Sequence, residues 1–297
     1  MESISRVDIL GIPFCSMGYS EVLKQIHCWH DAQKCGVISF VNPHSVVTAR
    51  KDKEMDAALR HSSLILPDGV GICLASRILG YPPVARITGP SLMLKLCEWS
   101  QYYGYSHFFY GGAAGVSERL AERLKQKIPK IKIAGTYCPP FRVLHPQEET
   151  VIVEHINSCK PDIVWIGLGA PKQEKWIHRH LGRIRATALI GVGAAFDFHS
   201  GQKKWAPRWV RELGIEWAFR LLQEPERMWR RNLNSFVFLG LVLGQKMKLL
   251  FGKSQRMLNG GVSAEDSVAL YDWPVDSVSP DKNAEQEPVL YSRDEIV

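Results

Sequence analysis

Residues 63–71 read SLILPDGVG: an apolar run, Leu64-Ile65-Leu66, ends on Pro67 and sets a carboxylate, Asp68, beside Gly69. Pro-Asp-Gly after a strand is an ordinary turn signal. A strand end is also where a general base can meet a substrate. Four further strand ends carry chemistry of their own. "VISFV" runs into Asn42-Pro43, where Asn suits an N-cap and Pro the first helical turn. "SHFFY" runs into Gly111-Gly112-Ala113-Ala114-Gly115, whose glycines would let backbone N–H groups approach a phosphate. "IVWIG" runs into Leu168-Gly169-Ala170-Pro171-Lys172-Gln173. A lysine and an amide there sit at the positive end of a helix dipole, suited to a phosphate or a nucleobase edge. The last strand ends on Gly191-Val192-Gly193-Ala194-Ala195-Phe196-Asp197. Any one of these is explicable as a turn. Together at one rim they point to a nucleotide-phosphate site, with Asn42, Gly111, Gly112, Gly169, Lys172, Gln173 and Gly193 as candidate substrate-binding positions.

Several chemistries are disfavoured. The chain has no Asp-x-Asp pair, so a magnesium clamp for a diphosphate is not evident. Asp197-x-His199 is an incomplete metal site. No metal and no cofactor is expected. Gly-x-Ser-x-Gly and His-Glu-x-x-His are missing. A nucleotide-sugar dehydrogenase or epimerase is an alternative on a similar sheet. The incomplete G-x-G-x-x-G spacing and the lack of any Tyr followed four residues later by Lys count against it.

The elements that must position these residues follow from periodicity. From residue 37 to 193 short apolar runs alternate with helical, amphipathic ones, which predicts an α/β fold: a mostly parallel, Rossmann-like sheet with helices on both faces, over residues 1–199. Residues 200–252 mix Trp, Phe, Leu and Arg at helical spacing and read as a basic amphipathic helical appendage that associates with a membrane. Its most apolar piece, 236–243, is about half of the ~20 residues a spanning helix needs, so it is expected to lie at the interface rather than cross. The competing reading is a helical cap buried on the domain or at a subunit contact. Residues 253–297 lose periodicity, gain Ser, Pro, Asp and Glu, and read as an acidic, disordered tail.

Charge sharpens the picture. The net charge of +7 divides into about −5 on residues 253–297 and about +12 on the rest, with ten Lys/Arg against four Glu between 203 and 248. Such a stretch implies an anionic partner. The interleaved Leu, Phe and Val fit an anionic membrane surface better than nucleic acid, so a basic scaffold binding nucleic acid is the weaker, non-enzymatic alternative. An exposed apolar appendage would also favour homo-oligomers away from the membrane. The seven cysteines are scattered without a C-x-x-C pair, which predicts reduced thiols, and the N-terminus lacks the pattern of a secretory signal.

The stretches FVNPHSVV, LPDGVGI, RITGPSLM, FFYGG, GLGAPKQEKWI, GVGAAFDFHSG and WAPRWVRELGIEWAFRLLQEPERMWRR, in this order, resemble the WecG/TagA/CpsF family of bacterial glycosyltransferases over roughly residues 7–235. The resemblance implies inverting transfer of a sugar from a UDP-sugar to a polyprenyl-diphosphate-linked saccharide. It implies no metal, and a site on the cytoplasmic, inner face of the membrane. Carried over by position, Asp68 is the catalytic base, Asn42 a polar active-site residue, Arg86 a residue near the sugar or diphosphate, and Gln173 part of the nucleotide-sugar pocket. Arg220, Arg227 and Arg230 fall on basic positions of an appendage that meets the membrane and the acceptor diphosphate. Phe40 and Ser91 depart from the family pattern, where Thr and Asp are usual, and bear on which sugar is moved.

Overall fold

Apolar runs without alternation suit strands covered on both faces, and the sheet is built from such runs. The computed structural model describes residues 4–258. A hairpin of β1 (Arg6–Ile9) and β2 (Ile12–Cys15) comes first, then α1 (Tyr19–Asp31). The βα series runs β3 (Gly36–Val41), α2 (Pro43–Ala49), α3 (Lys53–Arg60), β4 (Leu64–Pro67), α4 (Val70–Leu79) and α5 (Gly89–Tyr103). It continues through β5 (Ser106–Gly111), α6 (Val116–Lys127), β6 (Lys132–Tyr137), α7 (Pro146–Ser158), β7 (Ile163–Gly167), α8 (Lys172–His180), β8 (Ala188–Gly191) and α9 (Ala195–His199). Three more helices follow: α10 (Arg208–Glu212), α11 (Glu216–Gln223) and α12 (Pro225–Leu258).

Strands β3 to β8 form one parallel sheet in the order β4-β3-β8-β7-β5-β6. Side chains alternate between its faces. Ile38, Phe40, Trp165 and Ile190 join one core with α1, α5, α6 and α9. Val37, Val164 and Leu189 pack on the opposite face with α7 and α8, and Val41 and Ile65 with α2, α3 and α4. The expected parallel sheet with helices on both faces is what the chain forms.

Two elements are additional to the five strands read from the sequence. β6 is an edge strand, and its Gly135 gives no apolar signal; a Cβ there would lie 2.6 Å from the Phe108 ring. The β1–β2 hairpin turns through Leu10 and Gly11, both at positive φ, a tight two-residue connection with no Asn-Gly or Asp-Gly to announce it.

The 200–252 region packs back on the domain, α12 lying against α2 and α4. Phe238 and Val242 are buried among residues of those helices. Polar contacts reinforce the seam: Leu10 N–H donates to Gln245 Oε1 (3.0 Å), Gln245 Nε2 donates to Asp8 Oδ1 (3.2 Å), and Lys246 Nζ donates to the Leu79 carbonyl (3.4 Å). The opposite face is exposed, with Phe236 at 74% and Phe251 at 64%. Although 236–243 is short, the continuous helix makes the window Arg231–Phe251 long and apolar enough, by length and composition, to cross a membrane. Helix α12 also takes in positions 253–258; residues 259–297, most of the acidic tail, lie outside the described residues. All seven cysteines are free.

Candidate active site

Four strands that neighbour one another in the sheet, β4, β3, β8 and β7, end at a cavity of about 460 Å³. This is the carboxyl-end crevice where open parallel sheets bind ligands. Strand ends and the starts of α2, α4 and α8 form one side; α11 and the beginning of α12, with Glu216, Trp217, Arg220, Met228 and Arg231, form the other.

Asp68 stands on the strand-end side. Its N–H donates to the Val41 carbonyl (3.0 Å), and Ile87 N–H donates to the Pro67 carbonyl (3.0 Å), so the backbone is fixed on both sides. Gly69 holds φ +94°, which the turn into α4 requires and a side chain would oppose. The turn therefore aims the carboxylate into the cavity, which Asp68 lines. Burial, helped by the Glu216 carboxylate and opposed by Arg220, Arg86 and Arg231, pushes the Asp68 pKa up to about 6. That is the range of a working general base near neutral pH.

Asn42 is the N-cap of α2: its Oδ1 accepts from Ser45 N–H (3.0 Å) and Ser45 Oγ (3.3 Å). Gln173 is 4% exposed, accepts from Gly169 N–H (3.1 Å) and donates to Glu174 Oε1 (3.0 Å). Gly191 and Gly193 leave room for it, since a Cβ at either would lie 3.1–3.3 Å from its amide. Asn42, Gly169, Gln173 and Gly193 all line the cavity. Buried Glu174 keeps Oε2 without a partner among the described residues, and burial raises its proton affinity.

Arg86 also lines the cavity and donates through Nη2 to the Arg211 carbonyl, tying the loop before α5 to α10. Arg220 lines it from α11, its guanidinium 5.7 Å from the Phe198 ring centroid. With Arg231, three arginines face two carboxylates. His44, beside Asn234 Nδ2 (2.7 Å), is held neutral by burial and Arg231, its pKa lowered to about 4.

Other predicted positions fall elsewhere. Gly111 and Gly112 are not among the cavity-lining residues, because β5 lies one strand beyond β7. Their glycine character has a packing reason: a Cβ on Gly111 would sit 2.6 Å from the Gly167 carbonyl carbon, and one on Gly112 would sit 2.8 Å from Val116. Lys172 is also outside the lining, with Nζ 4.9 Å from the Phe141 ring centroid. Arg227 and Arg230 are in α12, but their side chains lie outside the described residues. Glu216, Arg231 and His44 were missed. Helical phase was the available signal for Arg231, which shares a face with Met228, Asn232 and Ser235, all cavity-lining.

Among the described residues no group of three or more His, Cys, Asp or Glu side chains could hold a metal ion. The Asp197-x-His199 pair is engaged otherwise: Asp197 Oδ2 lies 3.3 Å from Lys203 Nζ, and His199 Nε2 lies 2.8 Å from the Pro90 carbonyl.

A strand-end crevice that joins a carboxylate to arginines can set a base beside a phosphate-bearing ligand. The chain matches the glycosyl transferase WecG/TagA/CpsF family over residues 7–251 and belongs to it. It is 33% identical over 227 residues to the N-acetylglucosaminyldiphosphoundecaprenol N-acetyl-beta-D-mannosaminyltransferase of Bacillus subtilis (strain 168), covering 76% of this chain and 86% of that protein. It is 31% identical over 228 residues to the protein of the same name from Staphylococcus aureus (strain MW2), covering 76% and 88%.

Proposed function

We propose that this protein moves a sugar, of the N-acetylmannosamine class, from a UDP-sugar to a polyprenyl-diphosphate-linked saccharide, with inversion at the anomeric carbon. Asp68 carries the reading: a carboxylate with a proton affinity suited to base catalysis, lining a cavity with three arginines. The names of the relatives support the sugar and the lipid-linked acceptor; the uronic acid and glucose are the other donors to test.

In this reading the acceptor hydroxyl attacks the anomeric carbon from the side opposite UDP and gives its proton to Asp68. The bond from that carbon to the diphosphate oxygen breaks, and its electron pair leaves with UDP. Arg86, Arg220 and Arg231 would meet the growing charge, guanidinium forks being matched to phosphate oxygens. With these cations the reading expects no metal. The substrate's lipid would hold the enzyme at the inner face of the cytoplasmic membrane as a peripheral protein, in the synthesis of cell-surface or exported polysaccharide.

The test incubates the protein, with a chelator, with UDP-N-acetylmannosamine, its uronic acid or UDP-glucose and a short-chain polyprenyl-diphosphate N-acetylglucosamine. Mass spectrometry and anomeric NMR then define the products. A single lipid-linked disaccharide of inverted configuration is expected. Retention at the anomeric carbon, or no transfer from any donor, overturns the proposal.

A further inference from the structure

Two neighbouring residues of α11 face the cavity from the appendage side and have no part in the steps above: Glu216 and Trp217. The Glu216 carboxylate is held in place. Its Oε1 accepts the Trp205 indole N–H (3.1 Å), and Trp205 is itself held by the Arg211 guanidinium 3.9 Å from its ring centroid and by an edge contact with His199 at 5.1 Å. Among the described residues nothing bonds to Glu216 Oε2. Trp217, beside it, lines the same cavity and is 51% exposed.

The chemistry of this pair selects its ligand. An ionised carboxylate only accepts hydrogen bonds, so it takes hydroxyl hydrogens and repels a diphosphate. An indole face carries the negative side of the ring quadrupole and attracts the slightly positive C–H face of a pyranose. Together they fit a sugar ring and disfavour a phosphate. Glu216 and Asp68 line the same cavity, and the Glu216 charge raises the proton affinity of Asp68, so a sugar held by Glu216 shares the cavity with the base. The strand-end side, with Asn42, Gln173 and Gly193, is left to the donor.

We infer that Glu216 and Trp217 form the subsite for the terminal sugar of the acceptor, carried by the appendage and facing the donor side across Asp68. This rests on the reading that the acceptor is a lipid-linked saccharide. It puts the acceptor's sugar on the docked appendage, whereas the donor is shared between the strand ends and the arginines of both sides.

Binding, rather than turnover, tests it. Two probes are compared on the full chain in detergent by calorimetry: a short-chain polyprenyl diphosphate, and the same molecule bearing N-acetylglucosamine. The wild-type protein should prefer the sugar-bearing probe by about tenfold, the worth of a hydrogen bond to a charged group. Glu216→Gln keeps an acceptor for the Trp205 N–H, and Trp217→Leu removes an exposed ring, so both variants should fold. Each should lose most of that preference while binding UDP within about twofold of wild type. Equal affinity of wild type for the two probes overturns the inference, as does a preference that survives both substitutions or a fall in UDP affinity. Failure of sugar transfer with the preference intact would instead count against the donor chemistry alone.

Discussion

As the proposed base, Asp68 must ionise to act, and it sits where ionisation is opposed. Burial and the Glu216 carboxylate raise Asp68 from its ordinary value of 3.8 to about 6, against the pull of Arg220, Arg86 and Arg231. The raised value has consequences of opposite sign for rate and stability. As a base, Asp68 is active only when deprotonated, so kcat/KM should climb through an acid limb centred near pH 6. For folding, a raised carboxyl pKa means the native state binds the proton more tightly than the unfolded chain. The associated stability is fully present below about pH 3.8 and is lost as pH rises through about 6. Asp68→Asn removes the ionisation and keeps the shape. Turnover should fall by about 10²–10⁴-fold with UDP affinity nearly unchanged, while Tm exceeds wild type at about pH 7.5 and the gap closes near pH 4. A variant that turns over like wild type, or one that melts below it at neutral pH, would remove Asp68 from this role.

Elements set which strand ends can cooperate, and sheet order decides it. The run at 111–112 looks like a phosphate cradle in one dimension, yet β5 is one strand too far along the sheet to reach the cavity. At φ +134°, a Cβ on Gly111 would press on the β7 backbone at 2.6 Å. Gly111→Ala should therefore cost about 1–3 kcal/mol through strain, lowering Tm by several degrees, while the folded protein binds UDP as before. A selective loss of UDP affinity at unchanged Tm would reinstate the cradle. Five sheet strands were legible because strands covered on both faces are apolar without interruption, as in LILP and IVWIG. The edge strand KIAGTY was not, since its faces are only partly covered, whereas LILP, at the other edge, is buried throughout. Asn42, Asp68 and Gln173 were legible because capping and turn chemistry confine them to strand ends. Glu216 and Arg231 were not, because helical phase groups residues on one face of α11 or α12 but does not say that this face closes over the strand ends, which tertiary docking decides.

At the scale of the whole molecule, the appendage has two faces: the inner one is docked on the domain, and the outer one is bare. Leu222 (84% exposed), Phe251 (64%) and Trp209 (60%) are apolar side chains on a stretch that also holds ten Lys/Arg. Length and composition allow α12 to cross a bilayer. Doing so would strip Phe238 and Val242 from the domain and leave the apolar residues they cover, such as Val46 and Leu79, facing water, at about 1.5–3 kcal/mol per side chain, and break the Gln245 and Lys246 bonds to the domain. Crossing would also pull Met228 and Arg231 from the cavity they help to close. The expected state is a helix lying in the headgroup layer with its inner face still docked. Two forces then act together: apolar burial, indifferent to salt, and attraction to anionic lipid of about 1 kcal/mol per basic residue. Binding to phosphatidylglycerol-containing vesicles should weaken several-fold at about 0.5 M salt without vanishing. Leu222→Ser with Phe251→Ser should abolish the remainder, and an alkaline carbonate wash should release the wild-type protein. Retention in the membrane pellet after that wash would mean that α12 spans, and the docked seam with the domain could not persist in the membrane-bound protein.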